Sequence, residues 1–223
     1  MKKILLFIAV SMSSISFAQN TKEVGEFSKL NVYDKIELTL KQGKEFKIEL
    51  EGANSNDVQI VNKNGRLKVK MSVSNSLQGG DVKAILYYNT LDEIIAEEGA
   101  KITSKEQIKS NLLAISAKTG GNVELKVDAD KLTIKSYTGG TVNLTGKANV
   151  QDILSSAGGF IRNAELSSKQ TMVTVNAGGS AEIKASELVD AKTRAGGYIR
   201  IYGKPKTINQ KTIAGGSITQ VDK

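Results

Sequence analysis

Gly-Gly pairs begin at Gly120, Gly139, Gly158, Gly178, Gly196 and Gly215, so successive pairs stand 19, 19, 20, 18 and 19 residues apart. A fixed period of this length marks a repeat architecture. One such unit cannot bury its own apolar face and has to stack on the next. Gly99-Ala100 is a degenerate earlier copy, 21 residues before Gly120. The residue preceding each full pair is small: Thr119, Thr138, Ala157, Ala177, Ala195 or Ala214.

Aligned on the second small residue, the repeats sort into columns. Two positions on stand Ile102, Val123, Val142, Ile161, Ala181, Ile199 and Ile218, all apolar. Four positions on, Leu125, Leu144, Ile183 and Ile201 are apolar, whereas Ser104, Asn163 and Gln220 are not. Five positions before the first glycine stand Ile94, Ile115, Ile134, Ile153, Val173 and Ala191. Period-two alternation on both sides of a small-residue corner describes two strands per repeat. The pairs could be hairpin turns in an antiparallel sheet, or each repeat could be one coil of a β-solenoid. Like residues in like columns favour the solenoid. A corner of this kind needs φ > 0 and leaves no room for Cβ between coils.

Before residue 90 the chain is strand and turn without a period. Ile36, Leu38 and Leu40 alternate with polar residues, Gln42-Gly43-Lys44 makes a turn, and Phe46, Ile48 and Leu50 alternate again. Val58 and Ile60 lead to Asn62-Lys63-Asn64-Gly65, a strong hairpin signal, with Leu67, Val69 and Met71 on the return strand. Ser72 to Asp81 reads as a loop, and Val82 to Tyr88 as a further strand. The sequence leaves open whether this region is a separate lobe or continues the solenoid.

The N-terminus reads as a signal peptide over residues 1–18. Lys2 and Lys3 precede an apolar run from Ile4, and Ser16-Phe17-Ala18 offers a cleavage site. Residues 19–90 then form the N-terminal β-strand region and residues 91–223 the repeats. The apolar run is too short to span a bilayer, and no later stretch is long enough. Export to the periplasm, cell envelope or extracellular space is the expectation. Without Lys2 and Lys3 the formal charge falls from +8 to +6, a modest excess that an anionic partner would suit. There is no Cys and no His, so disulfides, Cys-based metal sites and the usual general base are ruled out.

The motifs, taken in order, resemble a bacterial envelope family: the putative auto-transporter adhesin, head GIN domain family. The resemblance runs from about Phe27 to Thr219. It is carried by Val32-Tyr33-Asp34-Lys35-Ile36-Glu37-Leu38, Gly43, Gly65-Arg66-Leu67-Lys68-Val69 and Leu91-Asp92-Glu93-Ile94-Ile95, then by the small-residue corners and Tyr202-Gly203-Lys204-Pro205. An echo, Thr145-Gly146-Lys147-Ala148, lies 57 residues before this last motif, or three repeats. The fold implied is a right-handed single-stranded β-helix, all-β, with coils of about 19 residues. The membrane barrel of an auto-transporter is not expected within this chain, whose repeats run almost to Lys223. The resemblance supplies no catalytic residues.

Three functions are open. A polysaccharide-active enzyme needs clustered carboxylates. The acidic residues do not fall in one column, and Asp128-Ala129-Asp130 reads first as a polar loop between repeats. No catalytic residue, metal ligand or cofactor is therefore assigned. A non-catalytic envelope or surface protein, an adhesin binding glycan or protein through an outer face, fits the outward columns better. One position after the corner stand Lys101, Asn122, Thr141, Phe160, Ser180, Tyr198 and Ser217; three positions after stand Thr103, Glu124, Asn143, Arg162, Glu182, Arg200 and Thr219. Phe160, Arg162, Tyr198, Arg200 and Tyr202 are the candidate ligand-binding residues, because exposed aromatics beside Arg hold sugars and protein loops. Lys118, Lys135, Lys192, Arg194 and Lys211 form a candidate basic face for anionic glycan, envelope polysaccharide or another envelope protein. The third reading is a structural or assembly component without a separate ligand. Nucleic acid is not expected.

Overall fold

The computed structural model describes residues 20–76 and 78–221; the signal-peptide reading of residues 1–18 lies outside them. Eight strands are short: β1 (Asn20–Glu23), β2 (Lys29–Val32), β3 (Glu37–Gln42), β4 (Lys47–Glu51), β5 (Val58–Lys63), β6 (Arg66–Met71), β7 (Lys83–Tyr88) and β8 (Glu93–Ala96). Five more each follow nearly a whole coil: β9 (Lys101–Lys118), β10 (Asn122–Tyr137), β11 (Thr141–Ser156), β12 (Phe160–Asn176) and β13 (Ser180–Arg194). The last three are β14 (Tyr198–Tyr202), β15 (Thr207–Ile213) and β16 (Ser217–Val221).

The long strands pair in parallel with their sequence neighbours, so the chain is a β-solenoid of about seven turns. Each coil bends near its middle and makes two faces. The first face follows the corner; it runs β3, β9, β10, β11, β12, β13, β14, β16. The second precedes the corner; it runs β2, β8, β9, β10, β11, β12, β13, β15. Inward residues of both faces meet in one core. Val123, Val142 and Ile161 are fully buried on the first, and Ile115, Ile134 and Val173 are buried on the second.

The corners explain the glycines, and in the first four pairs the two members serve different ends, whereas Gly197 and Gly216 of the last two pairs also have positive φ. Thr138 and Gly139 both have positive φ, at 48° and 72°, and the Gly140 N–H donates to the Tyr137 carbonyl at 2.9 Å. That is a type I′ turn. Gly139 points into open space and is needed for its φ. Gly140 has ordinary φ, but a Cβ there would lie 2.3 Å from the Ala117 carbonyl oxygen of the coil below. Thr and Ala at the first corner position keep a strained left-handed residue small. Corners are tied vertically as well: Gly99 N–H donates to Thr119 O, and Gly120 N–H to Thr138 O, each at 3.1 Å.

The N-terminal region continues both faces. β2 pairs in parallel with β8, and β3 with β9, so residues 29–42 form a first coil. Its corner is Asp34-Lys35, with φ of 60° and 62° and the Ile36 N–H bonded to Tyr33 O. Lys35 N–H donates to Glu98 O at 2.9 Å, which stacks this corner on the next. Below it β7 and β6 still pair in parallel with β3 and β2, and the antiparallel pairing begins one strand further out. β7 inserts between β3 and β4, antiparallel to β4, and β1 edges that face. On the other face β6 pairs with β2, and the β5–β6 hairpin closes the end through Asn64-Gly65. The stretch read as a loop after Met71 contains two short 3-10 turns, at Val73–Asn75 and Gly79–Asp81.

Two features of the core depart from plain apolar packing. Asn163, in an otherwise Leu/Ile column, accepts the Leu144 N–H at 3.2 Å and donates to the Gln151 oxygen at 3.1 Å. Gln151 then donates to the Thr171 hydroxyl, which meets Ser168, and Ser168 donates to Lys184 O. All four side chains are buried, so the network must be satisfied as a unit. At the C-terminal end the inward positions turn polar. Gln210 and Gln220 are exposed where the coil below has Ala191 and Ile201.

Candidate functional site

The outward columns fall where the alternation places them. Phe160 pairs with Thr141 and Ser180, and Ser180 pairs with Tyr198. Arg162, Glu182 and Arg200 are likewise successive rungs. With strands about 4.8 Å apart, the Phe160 and Tyr198 backbones stand about 10 Å apart along the solenoid axis. Phe160 is 41% exposed and Tyr198 61%, large values for aromatic side chains in mid-sheet. Ser180 between them is small. The result is a depression of about 260 Å³ lined by Phe160, Arg162, Ser180, Glu182, Tyr198 and Arg200, together with the small residues Gly178 and Ala181.

Its charges are unevenly committed. The Arg200 guanidinium donates to Glu182 Oε1 at 3.0 Å. Arg162, on the other side of Glu182, has no ion pair among the described residues. The site therefore has two aromatic walls, one neutralised cation and one free cation. Tyr202 lies apart. It pairs with Lys184 and Val221, is half-buried, and does not line the depression.

The residues of the candidate basic face are on the second face, and the structure disperses them. Lys192 and Lys211 are adjacent rungs, but Leu154 and Thr174 separate Lys135 from Lys192 in the same column. Lys118 and Arg194 share another column with Tyr137, Ser156 and Asn176 between them. Lys118 is paired with Glu97 at 3.2 Å and Lys192 with Asp190 at 3.4 Å.

Asp128-Ala129-Asp130 is not a loop but part of β10: Asp128 and Ala129 pair with both neighbouring coils, and pairing resumes at Lys131. Both carboxylates are engaged across one rung: Asp128 with Lys147 at 3.3 Å, and Asp130 with the Asn149 amide at 2.9 Å. Among the described residues, no group of three or more acidic side chains could hold a metal ion. At the first corner, Glu98 is hydrogen-bonded to Asp34. That bond, burial and the Asp34 and Glu97 charges hold its carboxyl above the usual Glu value. Asp34 itself accepts the Met71 N–H at 2.8 Å in a buried contact. These groups tie the first corners together.

The family model described as putative auto-transporter adhesin, head GIN domain, matches residues 26–205. The chain belongs to this family. Solved structures of the same shape include a putative adhesin from Bacteroides fragilis, 22% identical, with a TM-score of 0.82 over 91% of this chain and 96% of that one. A putative lipid binding protein from Parabacteroides distasonis is 15% identical, with a TM-score of 0.71 over 92% and 96% of the two chains. A putative adhesin from Parabacteroides merdae is 20% identical, with a TM-score of 0.68 over the same shares. No curated protein matches the chain. Likeness at these identities establishes the fold of this GIN-domain chain. No helix among its described residues is long and apolar enough to cross a membrane, which says nothing of strands.

Proposed function

We propose that the chain is an exported, non-catalytic protein of the cell envelope or surface that binds an extended glycan on its first face. The observation that carries this is the pair of exposed aromatics, Phe160 and Tyr198, two rungs apart over a floor of small residues. Sugar rings stack on aromatic faces through their C–H surfaces, and their hydroxyls need polar neighbours at the rim. Ser180, Glu182 and Arg200 supply donors and acceptors there, and Arg162 offers an unpaired cation to an acidic sugar. The spacing along the axis suits a chain lying across the strands, one ring on each aromatic. The family's description as an adhesin supports a surface role, and the sparse, partnered carboxylates support binding without turnover.

A glycan array with the mature chain tests this directly. Signal on acidic glycans, lost in the Phe160→Ala/Tyr198→Ala double variant, is the expected result. Each aromatic should account for about 1–2 kcal/mol of affinity. A flat array across acidic and neutral glycans would sink the proposal. Protease treatment of intact cells tests location separately, since a protected chain is not on the surface.

A further inference from the structure

A second concentration of charge sits at the other end of the molecule, on the outer side of the second face. The β5–β6 hairpin and β2 bring Lys29, Lys63, Arg66 and Lys68 around one depression of about 370 Å³, with Val61 and Asn64. The register makes the crowding explicit. Lys63 stands directly opposite Arg66, and Arg66 directly opposite Lys29, so three cations occupy one line of the sheet. Like charges directly opposite one another destabilise a sheet. Among the described residues one carboxylate is ion-paired with them: Glu93, directly opposite Lys29, pairs with Arg66, whose other nitrogen donates to the buried Asn31 oxygen at 2.8 Å. Arg66 is thus fixed in place. Lys29, Lys63 and Lys68 have no ion pair among the described residues.

Lysines on an edge strand commonly serve to block strand addition. That accounts for Lys63 on β5, which among the described residues pairs only with β6. It does not account for Lys29 and Lys68, because β2 and β6 are interior strands. We propose that this hairpin face is an anion-binding site, distinct from the aromatic depression, that takes a tetrahedral oxyanion: a phosphate or sulfate ester group. Three ammonium groups without ion pairs suit a centre with three terminal oxygens better than a carboxylate with two. Val61, 47% exposed and directly opposite Lys68, gives the carbon side of the ester an apolar wall. The group could be displayed on a lipid headgroup or on a soluble molecule; the chemistry recognised is the same.

The experiment uses the mature chain at low ionic strength. Calorimetric titration with inorganic pyrophosphate and with sulfate reports the free anion. Sedimentation with phosphatidylcholine vesicles, plain or doped with phosphatidic acid, reports the headgroup. Binding in either arm is expected, lost in Lys29→Gln/Lys63→Gln/Lys68→Gln and kept in Tyr198→Ala. Each lysine removed should weaken it by about tenfold or more, as for a charge-assisted contact. Vesicle binding that pyrophosphate does not displace assigns the site to a headgroup; displacement assigns it to the free group as well. Relief of the opposed charges should leave the urea midpoint of the triple variant unchanged or higher. If that variant fails to fold, Lys68→Gln and the shifts of β2, β5 and β6 amides on pyrophosphate addition replace it. No binding in either arm, or binding that survives the substitutions, overturns the proposal.

Discussion

The corner at Asp34-Lys35 and the corner at Thr138-Gly139 have the same backbone and share no residue. Both place two residues at positive φ and close a type I′ turn. The later one sits on another corner, so the residue after the turn, Gly140, must lack a Cβ. The residue after the first turn is Ile36, fully buried, because no corner of its kind lies beneath. The Gly79 turn lies there instead, and a Cβ on Gly79 would stand 1.8 Å from the Asp34 carbonyl oxygen. The second glycine of the pair therefore follows the stacking, not the turn.

Substitution at the corners should break this comparison in a graded way. Gly140→Ala forces a Cβ against a backbone carbonyl and should cost about 3–5 kcal/mol, whereas Gly139→Ala pays only for its left-handed φ, about 1–2 kcal/mol. Urea unfolding of both variants checks the ratio; equal losses would mean that the turn, not the stacking, selects the glycines. Asp34→Ala comes next. It orphans the buried Met71 N–H and should cost about 1–3 kcal/mol, while Asp34→Asn keeps an acceptor and should cost less.

The smallest effect concerns Glu98. The hydrogen bond to Asp34, burial and nearby carboxylates raise its folded pKa above the usual Glu value. The folded chain thus holds this proton more tightly than the unfolded chain. Its contribution to stability is complete below the unfolded Glu value and declines as pH rises through the raised folded value. Glu98→Gln keeps a donor for Asp34 and should flatten that decline, seen as urea midpoints that no longer drift over the mildly acidic range.

The solenoid was legible because the period and the alternation are both local. Ile102, Val123 and Val142 declare a column without any knowledge of pairing. The candidate site was legible to the same extent: the Phe160 and Arg162 columns follow from counting residues beyond the corner. Tyr202 did not join them, since it lies two residues past Arg200, opposite Lys184. The basic columns looked continuous only because a column says nothing of the rungs skipped or of partners such as Glu97 and Asp190. The first coil was hidden because its corner carries no glycine. The hairpin cations were hidden because β2 meets β6 with Lys29 opposite Arg66, 37 positions on in the chain, a pairing no local pattern records. Asn163 broke an apolar column; its partner Gln151 is on the neighbouring coil.

Because every coil adds the same rise, the number of coils is a gauge length. From β6 to β13 there are seven strand steps, so the lysine hairpin and the aromatic depression stand about 34 Å apart along the axis, on opposite sides of the molecule. A duplicated or deleted coil would alter that separation by about 4.8 Å and leave the contacts within each place untouched. Reach can change in this scaffold without any change in recognition.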